Sequence, residues 1–294
     1  RFPTLPPLVP VFGFLLDVIH LPKREELLED LTLGAEVLGP LRANPWWEDA
    51  KPNSDPVSSM AEFRALNSQQ FTSYVQSRPP DPRAAKMIEE LDAEVPTGRV
   101  RGPLEHPKSW PPMPTSGSVP IHSPEVGEGS EEDLAYAWAF SIEQLSGANP
   151  KVRRGDDWKR SGHNSTATSS KKPCHHTVDT HARHVRATKS AGAKGISLWP
   201  HDQHAAYRFF PLRNPCIAIV ILITSAGPLL YQHLVLNFGA KGSVWAYNRF
   251  MDALMMILRL AFMIGVGHYV DDLNGEEADE TAWSAFNTTA ELAE

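Results

Sequence analysis

A segment rich in β-branched residues constrains the fold most strongly. Residues 217–224 (IAIVILIT) are almost entirely apolar, and half of them are Ile. Such a segment favours a buried β-strand because β-branched side chains pack well on a pleated surface. The tetrapeptide SAGP follows as a turn, and LLYQHLVL after it alternates enough to form a partner strand. The sequence therefore predicts a buried β-hairpin.

The rest of the chain predicts an α+β fold. Helical spacing of Leu27, Leu28, Leu31 and Val37 indicates a helix in residues 23–38. We also expect helices in residues 84–94 and 55–75, the latter with Asp55 as N-cap and Pro56 at its first position. We also expect a helix in residues 131–140. A long, largely buried helix is predicted in residues 243–266, with one apolar side formed by Leu254, Ile257, Leu258, Ala261 and Phe262.

Changes in composition divide the chain into three regions. Residues 1–102 form a helical, acidic N-terminal region, and residues 103–130 form a linker rich in proline. From residue 142 onward, short apolar stretches alternate with basic and glycine-containing loops, which indicates mixed α and β structure. We take residues 131–294 as the third region.

Charge and cysteine content limit the function classes. The chain has a net charge of −7, yet residues 151–213 carry 13 Lys and Arg against 4 Asp and Glu, a local net charge of +9 suited to phosphates. Two cysteines cannot build a disulfide framework, which favours an intracellular location, cytoplasmic or nuclear. The apolar runs at 216–236 and 251–266 are interrupted or short, so a membrane-associated protein is only an alternative.

Two adjacent acids are the most informative pair in the sequence. In GHYVDDLNGEE, residues 267–277, a strand, a tight turn and a second strand are predicted, which places Asp271 and Asp272 at a hairpin tip. Two carboxylates so close together repel unless a cation lies between them, and Mg²⁺ prefers such oxygen ligands together with substrate phosphates. A two-metal site draws on a further carboxylate, for which Asp202 in LWPHDQHAAYRFFPL is the candidate.

These motifs together resemble those of the reverse transcriptases, particularly the retroelement enzymes. Tyr269, Val270, Asp271 and Asp272 match the Tyr-X-Asp-Asp signature of that family. Three further segments resemble its other motifs in the same order: KVRRGDDWKRSGHN its basic fingers motif, DQHAAYRFFPL its first carboxylate motif, and LNFGAKGSVWAYNR the segment beneath the nucleotide. The resemblance covers roughly residues 94–277. No segment resembling the family's thumb follows the paired acids.

The resemblance implies RNA-directed DNA polymerisation on a fingers-and-palm fold. The implied partners are an RNA or DNA template with a primer, and deoxynucleoside triphosphates. Asp202, Asp271 and Asp272 would hold two magnesium ions. The remaining implied residues bind the nucleotide (Lys151, Arg153, Arg154, Tyr207, Phe238, Gly239) or the nucleic acid (Lys159, Arg160, Arg249, Tyr269).

Other interpretations stay open at this point. The paired acids could be a solvated surface pair, and a non-catalytic, nucleic-acid-binding remnant of the same fold is motivated by Pro200, Gln203, Gly155 and Asn237, which depart from the family's pattern. Proline in particular suits a central strand poorly. The run PCHHTVDTHARH, residues 173–184, could bind zinc, although a polar fingers loop is the preferred interpretation.

Overall fold

The computed structural model describes residues 9–51, 56–106, 134–144, 151–203 and 206–293. The helices are α1 (Val9–Val18), α2 (Arg24–Leu33), α3 (Met60–Ser77), α4 (Ala84–Glu94), α5 (His163–Thr166), α6 (Val178–Ser190), α7 (Lys241–Leu260) and α8 (Ala282–Ala293). The strands are β1 (Glu48–Asp49), β2 (Val100–Arg101), β3 (Tyr136–Gln144), β4 (Lys151–Asp156), β5 (Lys171–Lys172), β6 (Ile196–Asp202), β7 (Ile219–Thr224), β8 (Gly227–His233), β9 (Val266–Tyr269) and β10 (Asp272–Ala278).

The strands form two principal sheets. A five-stranded sheet has the order β2-β8-β7-β3-β4, in which β3 and β7 are parallel and the other neighbours are antiparallel. A three-stranded antiparallel sheet has the order β6-β10-β9. Strands β1 and β5 make a short separate pair. The predicted mixture of helices and antiparallel sheets is confirmed at this level.

The predicted hairpin of β7 and β8 is present and is buried on both faces. Alternate side chains of β7 enter two different cores, since Ile219 and Ile221 pack with Phe71 of α3, whereas Val220 and Leu222 pack with Met87 of α4. Because a strand that is covered on both faces buries all of its side chains, its sequence is a continuous apolar run, which explains the composition of this segment.

The N-terminal region and the sheets share hydrophobic cores. Besides α3 and α4, helix α2 contributes Leu31 to the core that contains Met251 and Leu254 of α7. The division of the chain at residue 103 stays a prediction about its domains. Most of the predicted linker, residues 107–130, lies outside the described residues.

Helix α7 runs between the three-stranded sheet and the N-terminal helices. Its side chains Leu254, Ile257 and Leu258 are buried as predicted. The helix ends at Leu260, however, so Ala261 and Phe262 lie beyond it and are exposed, and their assignment to the buried side was wrong.

Local structure departs from the sequence prediction at four further places. Helix α2 ends at Leu33, so residues 34–38 of the predicted helix lie beyond it. Helix α3 begins after Ser59, whose side chain accepts a hydrogen bond from the Glu62 amide in a capping box, and Pro56 lies before the helix. Asp55 lies outside the described residues. Residues 136–140 are part of β3 instead of a helix, because they pair with both β7 and β4. The predicted polar loop after residue 173 is largely helix α6.

No helix in the described ranges is long and apolar enough to cross a membrane.

Candidate functional site

The three candidate carboxylates come together at one end of the three-stranded sheet. Asp202 is the last residue of β6, and it lies directly opposite Asp272, the first residue of β10. Strands β9 and β10 are joined by a two-residue turn, Val270 and Asp271, with Tyr269 opposite Asp272. Asp202 and Asp272 are exposed, and Asp271 is half-buried. The predicted hairpin is thus present, with Asp271 in its turn.

The acids interact electrostatically at this edge. Partial burial raises the pKa of the Asp271 carboxyl, its own backbone amide opposes that shift, and the charges of Asp272 and Asp202 raise the pKa further. Burial also raises the pKa of the Tyr207 and Tyr247 hydroxyls, with an added contribution from Asp271. The negative potential of the three carboxylates therefore extends to the Tyr207 and Tyr247 hydroxyls, and a bound cation would reduce that potential.

The turn between the acids is strained. Val270 has a φ of +55°, in the left-handed region that β-branched residues rarely adopt. A two-residue hairpin turn demands positive φ at its first position, which glycine or asparagine usually supplies. The surrounding structure must therefore hold this turn in place.

The donor set at the acid edge suits magnesium. Carboxylate oxygens are its preferred protein ligands, and substrate phosphates commonly complete its coordination. In the ranges that the structure describes, no group of three or more His, Cys, Asp or Glu side chains is arranged to hold a metal by itself. Asp202, Asp271 and Asp272 would be the residues that hold a magnesium ion, with a substrate phosphate as a further ligand.

A groove of about 660 Å³ runs along the face of the sheet on which the strand register places the side chains of Asp202 and Asp272, and none of the three aspartates lines it. Its walls include Leu198, Pro200, Tyr269 and Asn274 of the sheet and the first turns of α6. Leu198 and Tyr269 are 70% and 59% exposed, so the face is open. Pro200 is compatible with this sheet because β6 is an edge strand, where a missing amide donor leaves no partner unsatisfied.

Of the residues expected beside the nucleotide, Tyr207 interacts electrostatically with Asp271, and Phe238 contacts Tyr207. The Tyr207 ring is buried and meets the exposed Phe238 edge to face, with ring centroids 4.9 Å apart. Gly239 has a φ of +92°, and a side chain there would collide with the Asp156 carbonyl oxygen. Glycine at this position is therefore required by the fold itself.

The predicted triphosphate ligands lie on another sheet and differ in availability. Lys151 and Arg153 are exposed on β4, and the Arg153 Nε donates to Gln144 at 2.9 Å. The Arg154 guanidinium is instead buried, pairs with Asp156 at 2.9 Å and contacts His233. Arg154 is thus already engaged in a buried ionic network.

The predicted nucleic-acid ligands also divide into exposed and buried groups. Lys159 and Arg160 are exposed in the loop after β4. Arg249 is only 2% exposed, because α2 covers it and its guanidinium pairs with Asp30 and, at 3.7 Å, with Glu26. In this conformation, Arg249 faces carboxylates of the N-terminal region instead of solvent.

The candidate zinc segment takes another arrangement. His181 and His184 of α6 both contact the buried carboxylate of Glu276 on β10, and Cys174 is a free thiol near the Glu48 amide. The histidines thus attach α6 to the sheet. Sequence spacing alone could not have indicated Glu276 as their partner.

A buried polar network behind the acid turn was also missed by the sequence analysis. It joins Asn44 and Trp47 of the N-terminal region to Asp252 of α7 and His268 of β9. The only signal in the sequence was the presence of polar residues within otherwise apolar segments.

Comparison with protein-family models finds no matching family, and comparison with curated proteins finds no matching protein.

Proposed function

We propose that this protein is an RNA-directed DNA polymerase that extends a primer by phosphoryl transfer, with a fingers-and-palm arrangement. The observation that carries the proposal is the register of β6 against β10, which sets Asp202 opposite Asp272 and next to the turn that holds Asp271. Two-metal phosphoryl transfer needs carboxylates from separate elements at one point. The pairing of these strands supplies that convergence.

Asp202, Asp271 and Asp272 would hold the magnesium ions. When bound, the ions lower the pKa of the attacking hydroxyl and neutralise charge on the triphosphate. The protein's own contribution is to present its carboxylates on an open sheet edge, where a substrate can supply the remaining oxygen ligands.

The surroundings of the acids support a nucleic-acid substrate. The groove on the same face of the sheet gives a nucleic acid room to approach, and Tyr269 is exposed in its wall. Phe238 is exposed and contacts the buried Tyr207, whose hydroxyl interacts with the charge of Asp271, so a deoxyribose would pack on Phe238 with Tyr207 behind it, and a 2′-hydroxyl would be excluded. Lys159 and Arg160 would contact template phosphates, and Arg153 with Lys151 would contact the triphosphate.

A second candidate function is nucleic-acid binding without catalysis. The buried ion pair of Arg154 favours it, because it removes an expected triphosphate ligand from the surface. This candidate predicts salt-dependent binding of primer-template that is indifferent to magnesium and to substitution of the acids.

Primer extension separates the two candidates. We would compare the intact chain with the Asp271→Asn, Asp272→Asn double variant on RNA and DNA templates, with magnesium and deoxynucleotides. Glu280→Gln, which removes an exposed acid just beyond β10, is the matched control. Extension by the parent and the control, with none by the double variant, supports the polymerase. Equal primer-template binding by all three without extension supports the binding protein and overturns the polymerase.

A further inference from the structure

Both carbonyl groups of the strained turn have a donor. The His268 Nδ1 lies 3.3 Å from the Val270 carbonyl oxygen, and the Gln203 amide donates to the Asp271 carbonyl oxygen at 3.3 Å. The second contact links the turn to the residue after Asp202. The first leads away from the site, into the interior of the protein.

The His268 ring is fixed by a carboxylate at its other nitrogen. Its Nε2 lies 2.9 Å from Oδ1 of Asp252, in the middle of α7. Both partners of the ring are acceptors, and each ring nitrogen faces one of them. His268 is 1% exposed, and therefore water does not compete for these contacts.

The Asp252 carboxylate is fixed in turn by the N-terminal region. Its Oδ2 accepts from the Asn44 Nδ2 at 3.0 Å and from the Trp47 indole N–H. Asn44, Trp47 and Asp252 are 6%, 2% and 7% exposed. Four polar side chains from three parts of the chain thus form a continuous buried path that ends on the carbonyl of the strained residue.

We propose that this path is a positioning device: Asn44 and Trp47 orient Asp252, Asp252 orients His268, and His268 holds Val270 so that Asp271 and Asp272 face Asp202. The inference rests on the proposed function and assigns a role in it to the N-terminal region. A left-handed conformation is unfavourable for a β-branched residue and persists only where its surroundings enforce it. The hydrogen bond to its carbonyl provides that enforcement in the described structure.

Hydrogen bonds from surrounding groups matter at a metal site because they fix the position of the residues that bind the metal. Loss of an outer hydrogen-bond partner typically lowers metal affinity or activity by about 10–100-fold. The path therefore predicts that changes at the buried His268 alter the magnesium requirement instead of only the stability of the fold.

Two substitutions of His268 test the path because each keeps one half of the ring's contacts. In His268→Asn the amide nitrogen takes the place of Nδ1, which preserves the donor to Val270 and loses the contact with Asp252. In His268→Gln the amide nitrogen takes the place of Nε2, which preserves the contact with Asp252 and loses the donor to Val270. Both variants remove the imidazole, so they share the cost of lost packing.

Two readouts are needed. The first is hydrogen exchange at the amides of residues 270–273, measured without metal, and the second is the magnesium concentration that gives half-maximal primer extension. His163→Asn is the control, because His163 is a fully buried histidine that bridges Ser161 and the Ile217 carbonyl elsewhere in the fold. Trp47→Phe, which removes the indole N–H and keeps an aromatic ring, tests the far end of the path.

We expect His268→Gln to lose protection at the turn and to need about tenfold more magnesium. His268→Asn should stay closer to the parent in both readouts, Trp47→Phe should shift both in the direction of His268→Gln, and His163→Asn should change only overall stability. Equal shifts in the two His268 variants, or none, would overturn the inference. If the parent chain does not extend primers, the exchange readout still tests the path, so its failure is distinct from failure of the proposed function.

Discussion

Asp202 and Asp272 lie directly opposite each other on neighbouring antiparallel strands, with Asp271 in the adjoining turn. Like charges in opposite positions destabilise a sheet. The placement of three carboxylates at one open edge of the sheet therefore lowers the stability of the fold. Such a loss is expected where function requires the charges.

The first prediction is that Asp271→Asn abolishes extension and yet stabilises the protein. The folded-state pKa of the Asp271 carboxyl is raised. The ionised carboxylate therefore destabilises the native state; this effect grows as the pH rises above the unfolded pKa and is complete above the folded pKa. The effect is absent at acid pH, where the group is protonated in both states. We expect the free energy of unfolding to rise by less than about 1 kcal/mol at pH 7, since the group is half exposed. Urea unfolding at pH 7 and pH 3 measures the difference, and a variant less stable at pH 7 would contradict it.

The second prediction concerns acid sensitivity. Burial lowers the pKa of His163 to about 3 and of His176 and His233 to about 4. Because the folded-state values are depressed, stability is complete above the unfolded pKa near 6.5 and is lost as the pH falls from there toward 4. Each histidine contributes a slope of up to about 1.4 kcal/mol per pH unit. The free energy of unfolding, measured between about pH 7 and pH 4.5, should fall with this slope. His163→Gln should reduce the slope by about the contribution of one histidine. An unchanged slope in that variant would contradict the prediction.

The third prediction tests the requirement for glycine at Gly239. Alanine there adopts a left-handed conformation and also places its Cβ against the Asp156 carbonyl oxygen. Gly192 is the matched control, because its φ is +100° but nothing lies within 4 Å of the added atom. We expect Gly192→Ala to lower the free energy of unfolding by about 1 kcal/mol through strain alone, and Gly239→Ala to lower it by clearly more. Similar losses of stability in the two variants would contradict the prediction and would mean that the backbone around Gly239 shifts to accommodate the added Cβ.

The fourth prediction separates a structural role of Arg249 from a role in template binding. Arg249→Met leaves the buried Asp30 carboxylate with Arg42 as its main partner, and we expect unfolding to become easier by about 3 kcal/mol. Adding Asp30→Leu should recover part of that loss. A normally stable Arg249→Met chain with weakened primer-template binding would instead favour a direct template contact, reached after movement of α2.

The fifth prediction concerns the exposed basic loop after β4. Replacing Lys159 and Arg160 with alanine should reduce the slope of log affinity against log salt by about two, one for each phosphate contact. The slope is measured by fluorescence anisotropy with a labelled primer-template over a salt range of about 50 to 300 mM. Lys86→Ala, at an exposed position of α4, is the control and should leave the slope unchanged. An unaltered slope in the double variant would place the nucleic acid elsewhere.

Several elements of the fold could be predicted from the sequence because their signals are local. The hairpin of β7 and β8 follows from a β-branched run and a short turn, and α4 has the predicted bounds, Ala84–Glu94. The acid hairpin was also predictable, since a tight turn interrupts the apolar segment at Val270 and Asp271.

Other elements depended on partners that a local pattern does not contain. Residues 136–140 have a composition compatible with a helix, yet they form a strand because β7 and β4 offer hydrogen-bonding partners on both sides. The start of α3 at Ser59 was decided by its capping box with Glu62, which competed with the Asp-Pro signal before it.

The sequence by itself determined which chemical groups the candidate site has: three aspartates, an aromatic pair and a basic loop. Only the tertiary structure decided which of them meet. The register of β6 against β10 brings Asp202 to Asp272, whereas helix packing buries Arg249 against Asp30. The physical reason is that strand pairing and burial depend on residues distant in the sequence, and a one-residue slip of β6 would turn Asp202 to the other face of the sheet.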